Sequence, residues 1–340
     1  MRILIAPDSY KECLSSQEVA AAIASAARER WPHAQVVEIP LADGGEGTLD
    51  VLTAALGAEC CEARVSDPLG RPVPARYGVA GETAVIEIAQ ACGLPLLKPS
   101  ERNPLIASSR GVGELVMAAY RKGCRHLIVG LGGSATCDGG AGMMEVPGIK
   151  DIVKELSVEL LCDVDAPFIG PLGAARVFAP QKGASPQDVE TLEERMTVLA
   201  RAIRQETGTD VAHLPGAGAA GGLGGAFMAY FKARMVPGIE KVLELVHFRD
   251  AAQGADLIIT GEGKSDAQTL QGKVPYGVLK HAGGVPVALL SGRVESRTQL
   301  LQAGFRELVE VSPRELPLSV VMEADNARQN LGKAVRQLSF

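Results

Sequence analysis

Aromatic side chains are scarce in this 340-residue chain: 4% of residues, with a single Trp. Its core must therefore be built from Ala, Val, Ile and Leu, which the 46% hydrophobic content supplies. Net positive charge is missing too. At −6 and a pI near 5.5 the chain lacks the basic footprint of a nucleic-acid binder, although local cations can still hold an anionic metabolite. No apolar run approaches the ~18 residues of a membrane span. The N-terminal MRILIAPDSYK has too short an apolar stretch for a secretory leader. The seven cysteines are odd in number and form no C-x-x-C pair, which favours free thiols in a reducing compartment over disulfides or a metal site. A cytoplasmic location is the expectation.

Two familiar phosphate signatures are also absent. The segment ADLIITGEGKSD ends in Gly263-Lys264-Ser265, as a Walker loop does. The first glycine of that signature would fall at Ile258, inside an apolar strand, so no phosphate-wrapping loop can form there. The first strand opens into PDSYKE, without glycine, where a dinucleotide-binding fold would place G-x-G-x-x-G. A nicotinamide-dependent oxidoreductase acting on a small hydroxy acid is thereby disfavoured.

Glycine, by contrast, is abundant at 39 residues, and much of it clusters after apolar runs. RILIAPDSYK reads as a strand entering a loop, followed by a Ser15–Glu18 capping box and Val19, Ile23 and Ala26 at helical spacing. QVVEIPLADGGEGT is a second strand, a glycine loop and a helix from about Leu49. After Gly57, closely spaced prolines and alternating residues predict short antiparallel strands. Strand-and-helix alternation resumes from Ala255 with DLIITG, VPVALLSG and ELVEVS. The chain is therefore an α/β protein of two α/β domains. One is Rossmann-like (flavodoxin-like) and built from both termini, residues 1–62 plus 251–340; the other is a mixed α/β domain inserted at 63–250. No internal repeat or low-complexity tract is visible.

Four loops that combine glycines or hydroxyls with acids follow apolar strands: APDSYK, ADGGEGT, GLGGSATCDGGAGM and TGEGKSD. Phosphoryl transfer needs backbone donors, a cation to neutralise developing charge and a carboxylate to take a hydroxyl proton, and these loops contain all three. Each alone could be a tight turn with a helix cap; four together favour a shared site. Asp163 and Asp165 alternate, so on a strand they would share a face, and Lys182 lies in a turn between Gln181 and Gly183. There its ammonium could reach an anion, but a solvated face for the aspartates and an ordinary surface lysine are the slightly favoured explanation on chemistry alone. Ser108, Ser109 and Arg110 precede a helix and could receive a carboxylate, or could be a serine cap beside a solvated arginine.

The motifs IAPDSYKECLSS, LADGGEGT, GVGEL, GLGGSATCDGGAGM, CDVDAP, GAARVFAPQKGAS, PGAGAAGGLGGA and DLIITGEGKSDAQTLQGKVPYGV occur in that order. From Ile3 to about Val294 the chain resembles the bacterial glycerate 2-kinase type of glycerate kinase, which is unrelated to P-loop kinases. The resemblance implies two α/β domains with the site in the cleft between them. It also implies ATP- and Mg²⁺-dependent phosphorylation of D-glycerate, normally to 2-phospho-D-glycerate. A nucleotide-sensing module without turnover is the alternative from another class, and it would have no use for so many carboxylates. The chain departs from the family in one respect. Only MEVPGIKDIVKELSVELL joins GGAGM to DVD, where family members usually have a longer connection.

Carried onto this sequence, the resemblance places triphosphate on Gly132, Gly133 and Ser134 and on Gly216, Gly218 and Gly221, with Lys182 or Lys264 as charge neutraliser. Mg²⁺ would be held among Asp43, Glu46, Asp138 and Asp266. Glycerate would sit near Ser108, Ser109 and Arg110, or near Asp8 and Lys11. Asp43, Asp138 and Asp266 compete as proton acceptor, with Asp43 narrowly ahead. The expected partners are glycerate and a nucleotide, with neither nucleic acid nor membrane; monomer and homodimer both stay open.

Overall fold

A computed structural model describes residues 1–340 and divides them into two compact units, Met1–Asp43 with Ile239–Phe340, and Gly44–Gly238. The first contains five parallel strands: β1 (Arg2–Ile5), β2 (Gln35–Glu38), β9 (Leu257–Ser265), β10 (Val287–Val294) and β11 (Glu307–Glu310). Their order across the sheet is β11-β10-β9-β1-β2, the 2-1-3-4-5 order of flavodoxin-like folds. The order reverses between β1 and β9, and open α/β sheets leave a ligand crevice beyond the carboxyl ends of the strands there.

Helices Ser16–Arg30 and Ala324–Gln337 pack against each other on one face of this sheet. Val19, Ile23 and Ala27 of the first and Leu331 and Val335 of the second are completely buried there with Ile3, Ile5 and Leu257. Each fully buried Leu or Ile side chain contributes ~1.5–3 kcal/mol, so this aliphatic core needs no aromatic mass. The Ser15–Glu18 capping box is present, the Ser15 hydroxyl accepting from the Glu18 N–H while the Glu18 carboxylate accepts from the Ser15 N–H.

The second unit has a six-stranded mixed sheet in the order of the chain: β3 (Glu59–Ser66), β4 (Pro72–Ala80), β5 (Thr83–Glu87), β6 (His126–Gly130), β7 (Ser157–Leu161) and β8 (Arg234–Val236). β3, β4 and β5 pair antiparallel, as the proline-rich alternation predicts, and β5 to β8 are parallel. A separate small core gathers around Phe168 and the inner face of helix Pro186–Thr207.

Three findings differ from the sequence reading. The units divide at 43/44 and 238/239, whereas the sequence reading drew 62/63 and 250/251. Helix Thr48–Ala55 packs on β4 and β5, and Gly277 lies so close to Ile239 that a Cβ there would be 2.4 Å from it. These contacts draw residues 44–62 into one unit and 239–250 into the other. Second, TGEGKSD is strand rather than loop through Ser265, because Thr260, Gly261, Glu262, Lys264 and Ser265 all pair with β10. Third, β7 ends at Leu161, so Asp163 and Asp165 share no strand face; Asp163 instead accepts from the Gly238 N–H.

The short connection is a packed element. From helix Ala141–Met144 the chain turns through Gly148 into helix Ile149–Ile152, burying Val146, Ile149, Ile152 and Leu156 in the core of the second unit.

Candidate active site

The first unit holds a cavity of about 290 Å³ beyond the carboxyl ends of β1, β9 and β10. Asp8, Ser9, Tyr10 and Lys11 reach it from the loop after β1, and Asp43 from the loop after β2. Glu262 and Lys264 line it from β9, Arg293 from β10, and Lys273 from the start of helix Val274–His281. Asp8 is only 6% exposed. Burial, and then the nearby Asp43 charge, push its carboxyl well above the usual range, against the Ser9 N–H that donates to it and the Lys11 charge. The Ser9 hydroxyl is buried beside it and has no hydrogen-bond partner.

Glu262 is also buried, and burial raises its carboxyl. It accepts from the hydroxyls of Ser265 at 2.8 Å and Thr269 at 2.6 Å, and Lys273 lies 3.5 Å away. The Ser265 hydroxyl is also bonded to Ser291, which turns it wholly inward. Lys264 is half exposed and paired with Glu295 at 3.1 Å and Asp266 at 3.6 Å. Asp266 caps a short 3-10 turn by accepting from the Gln268 N–H.

In the second unit the glycine loops are packed against each other. The Gly132 N–H donates to the Gly44 carbonyl, and a Cβ on Gly132 would lie 2.4 Å from Gly45 Cα. Gly133 is exposed with φ +73°, a left-handed conformation that favours glycine. A Cβ on Gly221 would meet the Thr136 carbonyl oxygen at 2.0 Å, and one on Gly218 the Pro167 carbonyl oxygen at 2.2 Å. The Gly218 N–H already donates to Ala166, and Gly216, at φ +77°, opens the turn before it.

Lys182 is 2% exposed rather than on the surface. Its ammonium donates to the Ser134 hydroxyl at 2.8 Å and the Thr136 carbonyl at 2.7 Å, without a carboxylate in ion-pair range. Burial lowers its pKa. Asp138 accepts from the Ser109 N–H and hydroxyl, both at 2.8 Å, and from the N–H groups of Gly140 and Gly142. The Ser109 hydroxyl accepts in turn from Met143. Ser108 accepts from the Arg110 N–H, and Arg110 pairs with Glu114 at 3.0 Å. Glu46 is exposed.

The residues singled out in the sequence therefore fall into groups. Asp8, Lys11, Asp43 and Lys264 line one cavity. Lys182 ties to Ser134, and Asp138 ties to Ser109. Lys273 and Arg293 are cavity residues that sequence reasoning missed. Arg293 could have been found as the cation ending the apolar run VALLSGRV. Glu87 was missed as well, although an acid ending TAVIE is a visible anomaly. It is buried, accepts from the Leu49 N–H at 3.2 Å, and is pushed up to about 7 by burial, assisted by Asp50 and Glu46.

The glycerate kinase family model matches residues 3–152 and 144–339, two pieces that overlap within the short connection. The chain belongs to the glycerate kinase family. It is 42% identical over 308 residues to the glycerate 2-kinase of Escherichia coli (strain K12), covering 82% of this chain and 81% of that protein. It is 39% identical to the glycerate kinase of Bacillus subtilis (strain 168), covering 100% of this chain and 97% of that one. The latter alignment runs over 372 residues against 340 here. The crystal structure of a protein described as glycerate kinase 2 from Salmonella typhimurium LT2 matches with a TM-score of 0.83 and 38% identity, covering 99% of this chain and 96% of that one. This family member is thus a kinase, and no helix in it is long and apolar enough to cross a membrane.

Proposed function

We propose that this chain transfers the γ-phosphoryl group of ATP to the 2-hydroxyl of D-glycerate, with Asp8 as the proton acceptor. The observation that carries this is Asp8 itself: a buried carboxylate at the carboxyl end of β1, lining a cavity that also presents Lys11, Lys273 and Arg293. Position in the sequence favours Asp43 narrowly as base. Burial moves the choice to Asp8, because an acid disfavoured in its ionised form is the better proton acceptor. In the transfer, Asp8 takes the hydroxyl proton as the glycerate oxygen bonds to phosphorus. The bond to the ADP oxygen breaks, and ADP leaves with the electron pair. Lys11 and Lys273 offset the charge that develops on the phosphoryl oxygens.

The residues also fit Mg²⁺. No cluster of three or more acidic or sulfur ligands is present, and Mg²⁺ is ordinarily held by one or two carboxylates together with substrate phosphates. Asp43, which lines the same cavity and whose charge acts on Asp8, is the carboxylate that would hold it, and the ion would neutralise phosphate charge there. In the second unit, Lys182 fixes Ser134 and Thr136, which keeps the GLGGSAT loop in one conformation. The 2-hydroxyl as target is supported by the similarity to the Escherichia coli protein named glycerate 2-kinase.

The direct test is ADP formation on adding D-glycerate to enzyme and Mg·ATP, with the product identified by ³¹P NMR. Asp8→Asn is expected to lower kcat by ~10²–10⁴ at any Mg²⁺ concentration. Asp43→Asn should regain activity as Mg²⁺ is raised. An Asp8→Asn enzyme within tenfold of wild type would remove Asp8 from the role.

A further inference from the structure

We propose that the cavity at the carboxyl ends of β1, β9 and β10 holds the nucleoside of the phosphoryl donor, with the purine on its apolar wall and the phosphates toward Ser9 and Lys11. This rests on the kinase reading above, and it places the nucleotide in the first unit rather than on the glycine loops of the second.

The lining of the cavity is mixed. Besides the charged groups already described it includes the apolar side chains of Val311, Leu318, Val321 and Met322. Leu318 is 63% exposed, a large apolar side chain left facing water at the cavity. Glycerate, a three-carbon acid polar on every carbon, has no surface to set against such a wall. A flat purine joined to a polar sugar and phosphates matches both the apolar and the charged lining, and about 290 Å³ is near the lower end of what small-molecule pockets enclose. The position, at the switch point of a 2-1-3-4-5 sheet, is the one such sheets offer to ligands.

A second observation points to a ligand independently. Ser9 lines the cavity at 7% exposure and its buried hydroxyl has no hydrogen-bond partner, a state in which a polar group calls for one. A phosphate or ribose oxygen would supply it. The glycine-bracketed stretch of β9 has a role in this arrangement. Gly263 lines the cavity, and a Cβ on it meets nothing nearer than Tyr10 Cα at 3.7 Å. A side chain there would occupy the ligand's space without disturbing the strand, so glycine keeps the cavity open.

The experiment is calorimetric titration of ADP alone into the full chain, which needs no turnover. Gly263→Leu is expected to weaken ADP at least 100-fold, and Ser9→Ala roughly fivefold to tenfold, with thermal unfolding confirming an intact fold. Leu318→Asp, at an exposed position, should weaken ADP at least tenfold and keeps the question decidable if the leucine variant does not fold. Unchanged ADP affinity in folded Gly263→Leu or Leu318→Asp would overturn the proposal. Competition between D-glycerate alone and ADP for one site would do the same. If ADP binds and the variants abolish it but no glycerate is phosphorylated, the pocket stands and the proposed transfer to D-glycerate falls.

Discussion

Glu87→Gln isolates the energetic effect of one buried carboxylate at the end of β5. The side chain is 4% exposed, and its carboxyl is raised from 4.5 to about 7, first by burial and then by Asp50 and Glu46. The Leu49 N–H and Arg76 oppose that shift. A carboxyl that binds its proton more tightly when folded adds stability that is complete below pH 4.5 and is lost as pH rises through about 7. At about 1.4 kcal/mol per pH unit, the ionised Glu87 costs the folded state up to ~3 kcal/mol above that range. Glutamine keeps an oxygen for the Leu49 N–H and never ionises. Urea unfolding at pH 5 and pH 8.5 should therefore show the variant ~2–3 kcal/mol more stable than wild type at pH 8.5, with the gap reduced to ~1 kcal/mol or less at pH 5. Parallel pH dependence in the two proteins would refute the reasoning, because no proton would then be linked to folding at this site.

Three further outcomes follow from the packing. Gly221→Ala should destabilise the second unit by ~2 kcal/mol or more, seen as a lower urea midpoint, because the new Cβ meets the Thr136 carbonyl oxygen at 2.0 Å and φ is +68°. Lys182→Met removes a buried, unpaired cation and with it both anchors of the GLGGSAT loop. Glycerate phosphorylation should fall at least about tenfold, while stability changes by under ~2 kcal/mol because the desolvation cost disappears with the charge. Ser265→Ala should cost ~1–2 kcal/mol of stability through the lost bond to Glu262. It should leave the KM for Mg·ATP within about threefold, since that hydroxyl faces Glu262 and Ser291; a loss of several orders of magnitude would indicate a P-loop.

The α/β class and the strands and helices at both termini were legible in the sequence because they depend on local signals, and the family was legible from the order of its motifs. Apolar runs with period two or 3.6, the Ser15–Glu18 cap and glycines after strands act within about ten residues of chain. Rejecting the Walker reading was local too, since Ile258 falls within a strand whatever surrounds it. The roles of individual residues were not local. Lys182 reads as a surface lysine until Ser134 and Thr136, 46 or more residues away, are brought onto its ammonium. Asp138 reads as a candidate metal ligand or proton acceptor in a glycine loop, and only the fold brings Ser109 and two backbone N–H groups onto its carboxylate. Lys264 and Ser265 are neighbours in the sequence, yet alternation along β9 sends one to solvent and the other into the core. The division at 43/44 depends on where helix Thr48–Ala55 finds its packing partners. Which strands and helices form is dictated by periodicity; which polar groups are buried, paired or left open is decided by contacts between segments far apart in the chain, and those contacts set charge state and availability for chemistry.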